Sequence, residues 1–124
     1  MSIQTKRIYE EALESDGTRI LVDRVWPRGI SKQRAQLDEW LKDITPSTEL
    51  RKWFQHDPDK FKEFSEAYRQ ELATHSEKIQ AVDYVRDLAM NKTITLLYAA
   101  KDPVYNHVNV LKEYLEQNGE NPFP

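Results

Sequence analysis

At 124 residues the chain is long enough for one domain around one hydrophobic core, and with no cysteine it has no disulfide, thiolate metal site or cysteine nucleophile of its own. Its 18 Lys and Arg against 21 Asp and Glu give a net charge of -3, so no global basic field draws in nucleic acid or an anionic membrane, and any anion binding has to be local. No apolar run approaches the ~18 residues of a membrane span, and MSIQTKRIYEE lacks the apolar core of a signal peptide, so a cytoplasmic location is expected.

Ile3–Tyr9 reads as a strand, followed by a polar segment that closes at the turn pair Asp16-Gly17. Arg19–Val25 is a stronger strand, because Ile20-Leu21-Val22 is a continuous β-favouring run of the kind buried on both faces of a sheet. Leu37–Ile44 fits either an alternating strand or a single helical turn, and strand is the expectation. Thr45-Pro46-Ser47 starts a short helix through Trp53-Phe54. Asp57-Pro58 then places a cap before a proline at the first helical position, and Phe61, Phe64, Tyr68 and Leu72 recur at helical spacing. Ser76 caps a second long helix carrying Ile79, Val82, Val85 and Leu88. Thr93–Ala99, with ITLLYAA, is the strongest interior strand. Asp102-Pro103 repeats the cap-then-proline device before a helix carrying Val104, Val108, Leu111 and Leu115, closed by Asn118-Gly119.

Strands separated by helices predict an α/β fold over residues 1–124: a small, mostly parallel sheet flanked by helices in a single domain of three-layer type. Ligands of such sheets bind beyond the carboxyl ends of the strands. Two loops follow strong strands, Asp23–Lys32 and Lys101–His107, and both are rich in chemically useful side chains. If the strands run parallel, the loops share one rim.

In the first loop, DRVWPRG sets Arg24 and Arg28 four residues apart, suited to grip a carboxylate or phosphate, with Trp26 as a stacking wall and Ser31 and Lys32 within range. The competing reading pairs Asp23 and Arg24 with each other or with neighbours at a sheet edge, sinks Trp26 into the core and leaves Pro27–Gly29 as a turn. In the second loop, AAKDPVYNH offers Lys101 and Asn106 as ligand contacts and His107 as an acid or base, while Asp102 suits a helix cap better than catalysis. Asp23 and His107 would move protons if chemistry occurs. STELRKWFQHDP carries Arg51, Trp53, His56 and Asp57; His56-Asp57 closes one helix and begins the next, which favours a structural reading of the stretch. His56, Asp57, Asp102 and His107 show none of the HxH, HxxxH or HExxH spacings, so no metal site is expected, and a metal-assisted hydrolase is a lesser alternative. A second alternative is a protein-interaction module built on Trp26, Trp53 and the neighbouring arginines. GxxxxGK[ST], GxGxxG and GxSxG are all absent, which excludes the classical nucleotide and hydrolase motifs and leaves any cofactor unknown.

Taken together, VDRVWPRG, WLKDITPSTELRKWFQHDP and LLYAAKDPVYNH resemble the YeaO-like family of small bacterial proteins, part of the larger group called domain of unknown function 488, from about Lys6 to Leu115. The resemblance implies a compact α/β domain of bacterial or archaeal cytoplasm and brings no assigned activity. Wider relatives carry Cys or Glu near the positions of Ala99-Ala100 and Asn106. This chain has neither there, so the resemblance brings no redox or metal role with it.

Overall fold

The computed structural model describes residues 2–120, with side chains through Gln117. Four strands form the sheet: β1 (Ser2–Arg7), β2 (Thr18–Leu21), β3 (Glu39–Trp40) and β4 (Thr93–Tyr98), in the order β1-β4-β2-β3 and all parallel. The two apolar runs lie at its centre, with Ile20 opposite Leu96 and Leu21 opposite Leu97. Alternation sends Ile20, Val22, Ile94 and Leu96 into one core and Leu21 and Leu97 into another, which is why neither strand shows a polar face in its sequence.

The first core is covered by three long helices, α3 (Phe61–Thr74), α4 (Ser76–Asn91) and α5 (His107–Glu120), through residues such as Tyr68, Leu72, Val85, Leu111 and Leu115. On the opposite face the cover is thinner. Ile8, Ile30 and Ala35 of the one-turn helix α1 (Lys32–Ala35) close over Leu21 and Leu97, with Tyr9, Trp26 and Trp40 at the margin. The third layer is therefore mostly irregular chain: the stretch between β1 and β2 holds only a 3₁₀ turn at Glu14–Asp16, and the stretch between β2 and β3 only the single turn of α1.

Several boundaries differ from the expectation. Leu37–Ile44 contains both of its alternatives in succession, the strand pair of β3 and then a 3₁₀ turn at Lys42–Ile44. Asp57-Pro58 opens a 3₁₀ turn, Pro58–Lys60, that runs into α3, with the Asp57 carboxylate accepting from the Asp59 N–H at 2.9 Å. The N-cap of α4 is His75, not Ser76. The last helix begins at His107, not at Pro103: Asp102 accepts from the N–H groups of Val104 and Tyr105 and closes a separate turn, and Asn106 caps α5 through the Asn109 N–H at 3.0 Å. Val104 consequently faces solvent at 57% exposure. Asn118-Gly119 does not end the helix, whose backbone continues to Glu120, since a glycine only weakens a helix.

A buried ion network around the start of β2 has no counterpart in the expectation. Asp16 bonds Arg19 of β2 at 2.5 Å and Lys6 of β1 at 2.7 Å, with side-chain exposures of 3%, 5% and 14% respectively. The Arg19 guanidinium also donates to the carbonyls of Ala35 at 2.8 Å and Gln36 at 3.2 Å, tying α1 to the sheet.

Candidate functional site

β2 and β4 are adjacent and parallel, so the chain leaves both at one edge, and the residues just beyond them bond to each other. Asp23 Oδ2 accepts from the Ala99 N–H at 2.8 Å. His107, the first residue of α5, places Nε2 at 2.7 Å from the Val22 carbonyl and at 3.3 Å from Asp23 Oδ1. A carbonyl can only accept, so Nε2 carries the hydrogen and Nδ1 is the position left for an added proton. Tyr68 meets the imidazole edge-on at 6.3 Å, and Trp40 Nε1 donates to the Asp23 carbonyl at 2.7 Å. Asp23 and His107 thus clamp the ends of β2, β4 and α5 together. Removing the clamp has a measurable cost: Asp23→Ala strands the Ala99 N–H and is expected to lower the unfolding free energy by about 1–3 kcal/mol, read as a fall in the urea midpoint.

Beside this clamp lies a cavity of about 760 Å³, bounded by the loop after β2, the loop after β4 and the helix α2 (Thr48–Phe54). Three side chains of the helical layer fix the approach to α2. Tyr68 Oη donates to the Ile44 carbonyl at 2.7 Å, the buried Lys78 ammonium donates to the Thr45 carbonyl at 2.8 Å, and the Glu71 carboxylate accepts from Ser47 N at 2.8 Å and Ser47 Oγ at 2.6 Å. Burial drives the Tyr68 phenol well above its ordinary pKa, so it stays a donor across the physiological range. Ser47 in turn caps α2 through the Leu50 N–H. The helix is thereby oriented with Arg51 and Phe54, three residues apart, both toward the cavity.

Of the residues singled out in the sequence, Asp23, Arg24, Trp26, Arg28, Lys101 and His107 line this cavity together. Asn106 does not. It is fully buried behind the loop, donating to the Asp102 carbonyl at 2.8 Å while capping α5. Ser31 and Lys32 lie outside the lining as well, Ser31 serving as the cap of α1. Asp23 and Arg24 do not pair with each other, but Asp23 does bond neighbours at the sheet edge, Ala99 and His107, the other form of the competing reading. Trp26 is half-buried, packs edge-on against Trp40 at 5.4 Å and spends its N–H on the Ile30 carbonyl at 2.7 Å, which closes the WPRG turn. Tyr9 Oη braces the same turn at the Arg28 carbonyl, and Arg7 holds the loop after β4 through the carbonyls of Ala99 and Ala100, each at 2.9 Å.

Arg51 and His56, from the stretch read as structural, also face the cavity, as does Lys52, which the sequence does not single out. Their helix is visible in the sequence; the side it turns inward is not. With Arg24, Arg28 and Lys101 they bring five full positive charges and a histidine to one cavity, against the carboxylates of Asp23 and Asp102, in a chain whose net charge is -3. Among the described residues none of the five Lys and Arg side chains forms an ion pair, and Arg51 Nε is buried without a hydrogen-bond partner. Both carboxylates are already engaged. The Val104 and Tyr105 N–H groups hold the Asp102 carboxyl below its ordinary range, with a smaller contribution from His56. His56 itself follows Gln55, and both adopt the left-handed conformation, at φ 57° and 48°. For residues with a side chain that conformation costs about 1–2 kcal/mol each.

The sequence profile of the Inactive DUF488-N3 subclade matches residues 2–122. The chain belongs to this family. Among its YeaO-like relatives, Uncharacterized protein YeaO of Escherichia coli is 50% identical over 115 residues, covering 93% of this chain and 97% of that one. Uncharacterized protein Rv3073c of Mycobacterium tuberculosis is 36% identical over 113 residues, covering 91% and 92%, and Uncharacterized protein Mb3100c of Mycobacterium bovis aligns to the same extent. No solved structure matches the chain. Among the described residues no group of three or more His, Asp or Glu side chains is arranged to hold a metal ion, and no helix is long and apolar enough to cross a membrane.

Proposed function

We propose that the protein binds a small anionic metabolite in this cavity and does not turn it over. The observation that carries the reading is the set of five unpaired Lys and Arg side chains gathered from three separate segments around one concave surface. These cations outnumber the two carboxylates of the lining, Asp23 and Asp102, and the excess like charge is self-repelling until a bound anion offsets it. The commitment of Asp23 and His107 to backbone groups supports binding over catalysis, since Nε2 is already spent on Val22. The description of the matching family as inactive favours the same side. A flat protein-docking patch is less well supported: Trp26 is half-buried with its N–H satisfied, and the Lys60 ammonium sits over the exposed Trp53 ring at 5.1 Å. The same reading keeps the protein in the cytoplasm, where phosphorylated and carboxylated metabolites are at hand.

A thermal-shift screen of phosphorylated and carboxylated metabolites tests this directly. A ligand present at 100 times its Kd adds about 2.7 kcal/mol to the unfolding free energy. The gain should shrink in Arg24→Ala and Arg51→Ala and fall as salt rises. Finding no shift with any anion at millimolar concentration, or finding a bound anion converted to product, would overturn the proposal.

A further inference from the structure

Resting on the anion-binding reading, we infer that the ligand is a phosphate monoester carried on a planar ring, the chemistry of a nucleoside monophosphate, with Arg51 as its principal phosphate contact. Size is the first argument. Inorganic phosphate or a short carboxylic acid fills only a small part of 760 Å³, whereas cavities of roughly 300–1,000 Å³ hold ligands with a body as well as a charged group.

The walls give the shape of that body. Between the cationic groups the surface carries the rings of Trp26, Pro27, Pro46, Phe54 and Phe64, with Tyr9 at the edge, and between them the small or aliphatic Val25, Ala99 and Ala100. Phe54 and Phe64 stack at 4.1 Å with an interplanar angle of 16°, and Trp26 is held at a fixed angle by Trp40 and by its bond to Ile30, so these walls are rigid before any ligand arrives. Flat, apolar and pre-set walls favour a planar aromatic guest, which stacks without having to order them.

Charge gives the other end. Guanidinium groups match phosphate through paired donors, and Arg51 alone among the five combines a place on the lining with a buried, unpartnered Nε. A doubly charged phosphate meets that demand better than a single carboxylate. The successive left-handed residues Gln55 and His56 add an independent sign. The chain holds a strained backbone where it delivers His56 to the cavity, beside Phe54 at 5.7 Å, and strain of this kind collects at ligand sites.

The test is titration calorimetry of the full chain with the four common ribonucleoside 5′-monophosphates, ribose 5-phosphate, adenosine, inorganic phosphate and citrate. At least one nucleoside monophosphate should bind ten times more tightly than ribose 5-phosphate and inorganic phosphate. Adenosine should bind most weakly of the phosphate-related set. Arg51→Ala should weaken that nucleotide at least tenfold with an unchanged circular dichroism spectrum, and His56→Gly should weaken it while raising the melting temperature, a combination that loss of fold cannot produce. Equal affinity for the nucleotides, ribose 5-phosphate and inorganic phosphate would overturn the ring while leaving the anion site standing. Binding of citrate alone would overturn the phosphate. Binding of none of these anions would remove the anion site itself.

Discussion

Asp16→Ala is expected to lower the stability of the fold by about 3–5 kcal/mol, the range typical of removing one partner from a buried ion pair. The size follows from what the substitution leaves behind. Arg19 and Lys6 reach Asp16 from β2 and β1, on either side of β4, and without the carboxylate two cations face each other in a site nearly closed to water. The Leu13 N–H loses its acceptor too. Burial pushes the Asp16 carboxyl upward, but the Leu13 N–H and the charges of Lys6 and Arg19 outweigh it and hold the group below its ordinary range. An unfolded aspartate titrates near pH 4. The contribution of the ionised group is therefore fully present above about pH 4 and is lost as the pH falls through the lower folded value. Urea midpoints from pH 7 to 2 should show the native protein weakening over the acid end of that range, and Asp16→Asn should be less stable at pH 7 and flatter in acid. Parallel pH profiles for the two proteins would assign the acid sensitivity to another carboxylate.

What the sequence made legible follows the distance over which each feature is decided. The central strands could be read because burial on both faces leaves an unbroken apolar run, and a run of that kind is a local property of ITLLY and ILV. The shared rim followed from it, since adjacent parallel strands must release their loops at one edge, and Asp23 accordingly meets Ala99. The Asp16 network could not be read, because Lys6 and Arg19 look like the polar positions of half-exposed strands until a carboxylate ten residues from one and three from the other folds between them. Arg51 was hidden for the same reason on a larger scale. Its helix is turned by Tyr68, Glu71 and Lys78 gripping Ile44–Ser47 from 24 to 33 positions away, and no pattern within STELRKWFQHDP contains that information. The misplaced start of α5 is a local ambiguity. Asp102-Pro103 is a true cap, but of a single turn, and the helix waits for Asn106 because His107 has to reach back to Val22.

Gly17→Ala should be nearly as damaging, at about 3 kcal/mol, combining the cost of a side chain in the left-handed half of backbone space with a steric conflict that cannot relax cheaply. Gly17 has φ 66°, and a Cβ there would lie 2.3 Å from the Thr93 carbonyl oxygen and 2.9 Å from its Cβ. The obstacle is the first residue of β4, so relief requires β2 to move relative to the strand it pairs with. That movement would travel. Asp16, one residue earlier, accepts from Thr95 Oγ1 through its backbone carbonyl at 2.6 Å, and the register it helps fix, Thr18 opposite Ile94, is the one that sets Asp23 against Ala99 at the far end of the pair. Gly17→Ala should therefore lower the urea midpoint and also weaken anion binding at the cavity, although Gly17 lies at the opposite edge of the sheet. Gly29, also at positive φ but with nothing within 4 Å of the place a Cβ would take, is the matched control: Gly29→Ala bears only the backbone term of about 1–2 kcal/mol. Equal losses in the two variants would mean that backbone conformation, and not the contact with Thr93, governs Gly17.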